Sequence, residues 1–117
     1  MKIERIKQLL DARVLCGEDK LNGEVHSACG CDMMSDVLAF VKDQAVLITG
    51  LCNPQVVRTA MMMDMRCIVF VRGKMPTADV IELAKDAGIV ILASDMRMYV
   101  ACGVLYAEGL HGGEFHK

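Results

Sequence analysis

Three stretches of the chain are apolar without interruption: Ala45–Thr49 (AVLIT), Cys67–Val71 (CIVFV) and Ile89–Ala93 (IVILA). Short continuous runs rich in β-branched residues predict strands buried on both faces. Between them the pattern turns periodic. Asn53-Pro54 opens a helix running to about Asp64, with asparagine suited to the N-cap and proline to the first helical position. Pro76-Thr77 opens a second, with Val80, Ile81, Leu83 and Ala84 inward and Gly88 as its stop. Ser94-Asp95 leads into a third near Met98–Glu108.

The first third of the chain is less regular. Lys2–Asp11 places Ile3, Ile6, Leu9 and Leu10 at helical spacing, and Arg13–Cys16 is a short apolar run that Gly17 closes. Asp19–Gly23 predicts a turn, its Asn22-Gly23 pair accepting positive φ. Glu24–Cys31 alternates, with Val25, Ser27 and Cys29 set against Glu24, His26 and Ala28, which predicts a strand. Met34–Val41 has helical spacing at Met34, Val37, Leu38 and Val41, and Asp32 or Ser35 is placed to cap it.

Alternating strands and helices with buried strands predict an α/β fold: three layers, a mostly parallel sheet with helices on both faces. A length of 117 residues suits a single domain over residues 1–117, with an N-terminal helix within residues 1–12 and a flexible tail over 111–117.

Composition adds an expectation about association. The chain is 54% hydrophobic but only 4% aromatic, so the surplus is aliphatic residues and methionine. A domain this small has little interior, and contiguous apolar surface marks interfaces, so a homodimer is expected. Met61, Met62, Met63 and Met65 belong to that surplus, and as a set they suit either a subunit interface or ordinary core filling, the core being the expectation for Met61. The net charge of −2 and scattered basic residues argue against nucleic acid as a partner. No run is long enough for a membrane helix and the N-terminus has no signal-peptide core, so a cytoplasmic protein with its six cysteines reduced is expected.

Ligands of parallel α/β sheets bind outside the carboxyl ends of the strands. Three loops should meet there: Thr49-Gly50-Leu51-Cys52-Asn53, Arg72-Gly73-Lys74 and Ser94-Asp95. Thr49, Gly50, Cys52, Asn53, Arg72, Gly73, Lys74, Ser94 and Asp95 are therefore the candidate ligand-binding residues. Helix N-termini offer free N–H groups, Arg72 and Lys74 offer charge, and Thr49 and Ser94 offer hydroxyls, a set suited to a small anionic ligand such as a nucleotide or phosphorylated metabolite. Asn53, Thr77 and Asp95 also stand where ordinary helix caps belong.

No P-loop, dinucleotide-binding glycine motif or nucleophile elbow occurs, so no catalytic residue and no cofactor is expected. Cys29, Cys31 and Cys52, with His26, form the thiol-rich alternative for a metal site, but none of them makes a Cys-x-x-Cys pair and no metal is expected. Cys52, just before a helix start, is the best-placed nucleophile and has no identifiable base.

Several segments together resemble the DRTGG domain family: Gly30-Cys31-Asp32-Met33-Met34-Ser35 leading into a helix, AVLITG, CIVFVRG, and GIVILASD followed by Met98-Tyr99-Val100-Ala101. The resemblance covers roughly Val14 to Gly109. It implies the fold shared with the N-terminal domain of HPr kinase/phosphorylase and with domains accompanying phosphotransacetylases and CBS-domain pyrophosphatases. It also implies a regulatory role, with no reaction known for the family. Freestanding versions beside iron-only hydrogenase genes of anaerobic bacteria imply a second possibility, a scaffold docking a redox-enzyme partner. The namesake residues are altered: Leu51-Cys52-Asn53 stands for Gly-Asp-Arg, and Val71-Arg72-Gly73 for Thr-Gly-Gly. Contacts made by the family's Asp-Arg pair therefore do not carry over.

Overall fold

The computed structural model describes residues 1–40 and 45–112. Val41, expected at the end of a helix, and tail residues 113–117 lie outside the described residues. In chain order the elements are α1 (Ile3–Leu9), β1 (Arg13–Cys16), a 3₁₀ turn (Glu18–Lys20), β2 (Ser27–Gly30), α2 (Met34–Phe40), β3 (Ala45–Thr49), α3 (Pro54–Met62), β4 (Cys67–Phe70), α4 (Ala78–Ala87), β5 (Val90–Ala93) and α5 (Met98–Ala107).

One sheet runs β1-β5-β4-β3-β2, with β1 antiparallel to β5 and the other pairs parallel. From β2 to β5 each strand is laid beside the one before, always in the same direction. Right-handed crossovers in a single direction put every connecting helix on one face, and α2, α3 and α4 do pack side by side there. After β5 the chain turns the other way, and α5 joins α1 on the opposite face. The mostly parallel three-layer architecture is the expected one.

The buried strands serve two cores through their pleat. Val46, Ile48, Cys67, Val69, Val90 and Leu92 face α1 and α5. Leu47, Ile68, Phe70 and Ile91 face α2, α3 and α4. At the sheet edge α5 lies close over Gly30, where an added Cβ would fall 2.6 Å from the Cys102 sulfur.

Several expected boundaries move. The strand predicted over Glu24–Cys31 is Ser27–Gly30, because Val25 pairs with the chain start instead: its N–H donates to the Met1 carbonyl at 2.9 Å. The helix expected to reach Asp64 ends at Met62, and Asp64 takes a left-handed turn at φ 55°. The residue capping α5 is Arg97, so Asp95 belongs to the loop before it. His111, assigned to a free tail, accepts the Ala28 N–H through its carbonyl at 2.9 Å and stacks its ring on Tyr106. Met61 is not core but 49% exposed, since Val56, Val57 and Ala60 form the buried face of α3. Among the described residues no helix is long and apolar enough to cross a membrane.

Candidate functional site

The carboxyl ends of four parallel strands, rather than three, contribute to one cluster. Thr49 occupies the pleat position shared by Ala45 and Leu47, so its side chain emerges on the α2–α4 side. Asp32 meets it there from the loop after β2. Asp32 Oδ1 accepts the Thr49 hydroxyl at 2.8 Å and the Gly50 N–H at 2.8 Å, and Thr49 Oγ1 in turn accepts the Leu51 N–H at 3.1 Å. The Gly50 N–H above all holds the Asp32 carboxyl below its ordinary value; burial opposes it, and the Thr49 hydroxyl and the nearby Arg72 charge add to the lowering.

Asp32 thus leaves α2 and braces the β3 loop, a role that its expected use as a helix cap concealed. The signal that would have found it is the parallel strand just before it. Every strand end of such a sheet opens on the same edge, so the loop after β2 belongs with the other three.

Arg72 completes the cluster from β4. Its backbone is left-handed, φ 62°, an uncommon conformation for a residue with a side chain. Two hydrogen bonds to the β5 loop hold it: Arg72 N–H to the Met96 carbonyl at 2.7 Å, and Gly73 N–H to the Ser94 carbonyl at 3.1 Å. The guanidinium lies across Gly50, where a Cβ would come within 2.0 Å of Nη2, so a larger residue there would push the guanidinium aside. Nη2 stands 3.8 Å from Asp32 Oδ2, and both side chains are 47% exposed. That is a long, solvated pair, of the kind worth ~0–1 kcal/mol.

The other predicted residues divide. Cys52 lies beside Asp32, Arg72 and Lys74 closely enough for their charges to act on its thiol. Burial nevertheless pushes that thiol above its ordinary value, with Lys74 and Arg72 offsetting only part of the effect. Cys52, the best-placed nucleophile in the sequence, is thus held in its thiol form more firmly than a free cysteine. Asn53 is the N-cap residue of α3 but makes no side-chain capping bond, and it is exposed. Asp95 sits near Gly73, its Oδ1 3.3 Å from where a Cβ on that glycine would lie. Ser94 turns away: it is 1% exposed, donates to the Leu10 carbonyl at 2.7 Å and accepts the Met96 N–H at 3.2 Å. Its hydroxyl ties the loop to the end of α1 and is not presented to the cluster.

The thiol-rich alternative keeps Cys29, Cys31 and Cys52 along one core without gathering them, among the described residues, into a ligand set. Cys29 is pushed up to about 11, chiefly by burial and then by Cys31 and Cys102 nearby, while the Cys31 sulfur engages the Met33 backbone. Among the described residues no three His, Cys, Asp or Glu side chains gather into a group that could hold a metal ion.

Comparison with known proteins gives two findings. A family model described as the DRTGG domain matches residues 5–105. The fold is similar to the crystal structure of the CBS and DRTGG domains of the regulatory region of Clostridium perfringens pyrophosphatase, complexed with activator, diadenosine tetraphosphate. The TM-score is 0.71 at 17% sequence identity, and the match covers 89% of this chain and 45% of that one. The present chain therefore spans less than half of that structure, and at this identity the likeness speaks for the fold. No curated protein gives a significant match.

Proposed function

This chain belongs to the DRTGG domain family, and from that premise we propose that it is a non-catalytic regulatory domain. In this reading it works as a homodimer and senses a small anionic ligand, a nucleotide or phosphorylated metabolite, at the carboxyl ends of its parallel strands. The observation that carries the reading is the setting of Arg72. A strained left-handed backbone, a glycine cleared of its Cβ beneath the guanidinium and a braced carboxylate beside it hold one cation at the mouth of the cluster. Backbone strain kept by its surroundings is a feature of ligand clamps.

The weak pair with Asp32 makes Arg72 a movable clamp. A phosphate offers a shorter, two-pronged partner, and the guanidinium exchanges a solvated contact for a stronger one. Lys74 adds a second charge beside Cys52. Asp32 keeps its bonds to Thr49 and Gly50, so the floor of the site stays in place while Arg72 moves. A regulatory region is also where the related pyrophosphatase carries its DRTGG domain, and the ligand of that complex is a nucleotide.

A thermal-shift screen against mononucleotides, dinucleoside polyphosphates, acyl phosphates and sugar phosphates tests this. A specific rise in melting temperature that disappears in Arg72→Ala, whose unliganded melting stays close to wild type, is the expected result. A flat response across all four classes, or a response that Arg72→Ala leaves intact, removes the ligand from this site.

A further inference from the structure

Asp32 holds the strand-end cluster together, and a thiol holds the loop of Asp32. Cys31 Sγ accepts the Met33 N–H at 3.3 Å and donates to the Met33 carbonyl at 3.4 Å. Asp32 is the residue between them, so this turn aims its carboxylate at Thr49 and Gly50. The sulfur bonds of Cys31 stand open to solvent, whereas the Cys16 thiol, which donates to the Ile89 carbonyl at 3.3 Å, is buried.

A second thiol shares its face of the sheet. Cys29 pairs with Leu47 in β2, and the Cys31 N–H donates to the Ile48 carbonyl at 3.0 Å, so the ladder runs on past Gly30. Side chains two apart on a strand point to the same side, and both cysteines pack, half-buried, on the core beneath α2, α3 and α4. Two strand residues span ~6.6 Å, at the upper end of the ~4.4–6.8 Å between bridged Cα atoms. A bridge therefore needs the strand to bend, and Gly30, free of a side chain's restrictions, is the residue between. Cys102 packs in the opposite core with its sulfur over Gly30, and it weighs less on the Cys29 thiol than Cys31 does.

We propose that Cys29 and Cys31 are a redox-active pair that controls the strand-end site: joined in a disulfide, they release the loop of Asp32 from Gly50. Its effect on a ligand rests on the proposed function; the switch itself needs none. The oxidant is a small-molecule disulfide of the glutathione type. Burial pushes the Cys29 thiol up to about 11, which leaves Cys31 to attack first. Its thiolate forms a mixed disulfide and expels one small thiolate. The Cys29 thiolate then attacks Cys31 Sγ, closes the bridge and expels the second. The two protein thiols lose their protons, the two expelled thiolates take protons up, and two electrons pass to the small disulfide. In the bridge Cys31 has no S–H to donate, and its sulfur is drawn from Met33 toward Cys29. Strained, exposed disulfides are readily reduced, so the change reverses.

Hydrogen exchange of the Gly50 amide, followed by NMR on the whole chain, tests this without a ligand, because Asp32 holds that N–H. Equilibration with oxidised glutathione should give a Cys29–Cys31 bridge by peptide mapping. It should also speed Gly50 exchange roughly ten- to a hundredfold, as loss of a hydrogen bond to a charged group does. The Leu47 and Val69 amides in the sheet should stay protected, and a thiol reductant should restore Gly50. Cys29→Ser should remove the effect of the oxidant. Cys31→Ala should loosen Gly50 without oxidant, and Cys31→Ser, whose hydroxyl also accepts and donates, should recover protection. A bridge from Cys29 to Cys102, no bridge at all, or a Cys29–Cys31 bridge with Gly50 still protected overturns the proposal. Inorganic phosphate should bind the oxidised chain several-fold more weakly than the reduced one, and equal binding would overturn control of the site. Phosphate that binds neither form counts against the proposed function and leaves the Gly50 result to decide the switch.

Discussion

Thr49 closes β3 and Ser94 follows β5, and the pleat turns their hydroxyls to opposite faces of the sheet. Thr49 meets Asp32 on one side, and Ser94 meets the Leu10 carbonyl on the other. The Ser94 hydroxyl is buried and engaged as donor and as acceptor, so removing it leaves a carbonyl and an N–H short of partners. Ser94→Ala should cost ~1–3 kcal/mol of folding stability, the range for orphaned buried polar groups. Urea denaturation measures it, and an unchanged midpoint would show that the loop is not tied to α1 through this bond. Asp32 makes a pH-dependent contribution. Its folded value is lowered from 3.8, so the stability it confers is present above 3.8 and is lost as pH falls through the lowered value. The stability gap between wild type and Asp32→Asn should therefore be full at neutral pH and close below pH 3.8. A gap persisting in strong acid would mean that the charge of Asp32 is not what braces Gly50.

At the scale of elements, α5 differs from its neighbours. α3 and α4 each bury one stripe and wet the other, whereas α5 has apolar residues all round and a glycine at its middle. Replacing Gly103 by alanine fills open space and removes a helix-interior glycine, so Gly103→Ala should stabilise the fold by about 0.5–1 kcal/mol. Denaturation in dilute solution reads this on the single chain, and destabilisation there would show that the monomer itself needs the glycine. The sequence made β3, β4 and β5 legible because five-residue apolar runs have few other uses. The amphipathic helices were legible for the same reason of pattern. β2 was drawn too long because alternation through Val25 looks the same whether the partner is β3 or the distant Met1 backbone. Arg72 was found as a charge, but its left-handed backbone, set by bonds to Met96 and Ser94, has no local signature in a residue other than glycine or asparagine. Asp32 was hidden in plain view, since a carboxylate one or two residues before a helix suits a cap equally well.

In the whole molecule the strand-end cluster and the start of α5 are joined by a short covalent and hydrogen-bonded path. The β4 loop carrying Arg72 is bonded to the Met96 carbonyl, and the next residue, Arg97, caps α5. A ligand that draws the Arg72 side chain off Asp32 acts on a loop whose backbone is shared with the start of α5. With the homodimer and the ligand site of the proposed function, association and ligand binding become linked equilibria, and linkage requires that each change the other by the same factor. The expected outcome is a dimer dissociation constant that changes several-fold when the ligand is saturating, within the 5–150-fold span usual for such coupling. Ligand affinity measured at low and at high protein concentration should differ by that factor in the matching direction. Arg72→Ala should abolish the effect of the ligand on association while leaving the unliganded dimer constant as it was. Dissociation constants that stay equal with and without ligand would make association and ligand binding independent, and the bonds from Arg72 and Gly73 to the β5 loop would then serve only to hold the left-handed turn.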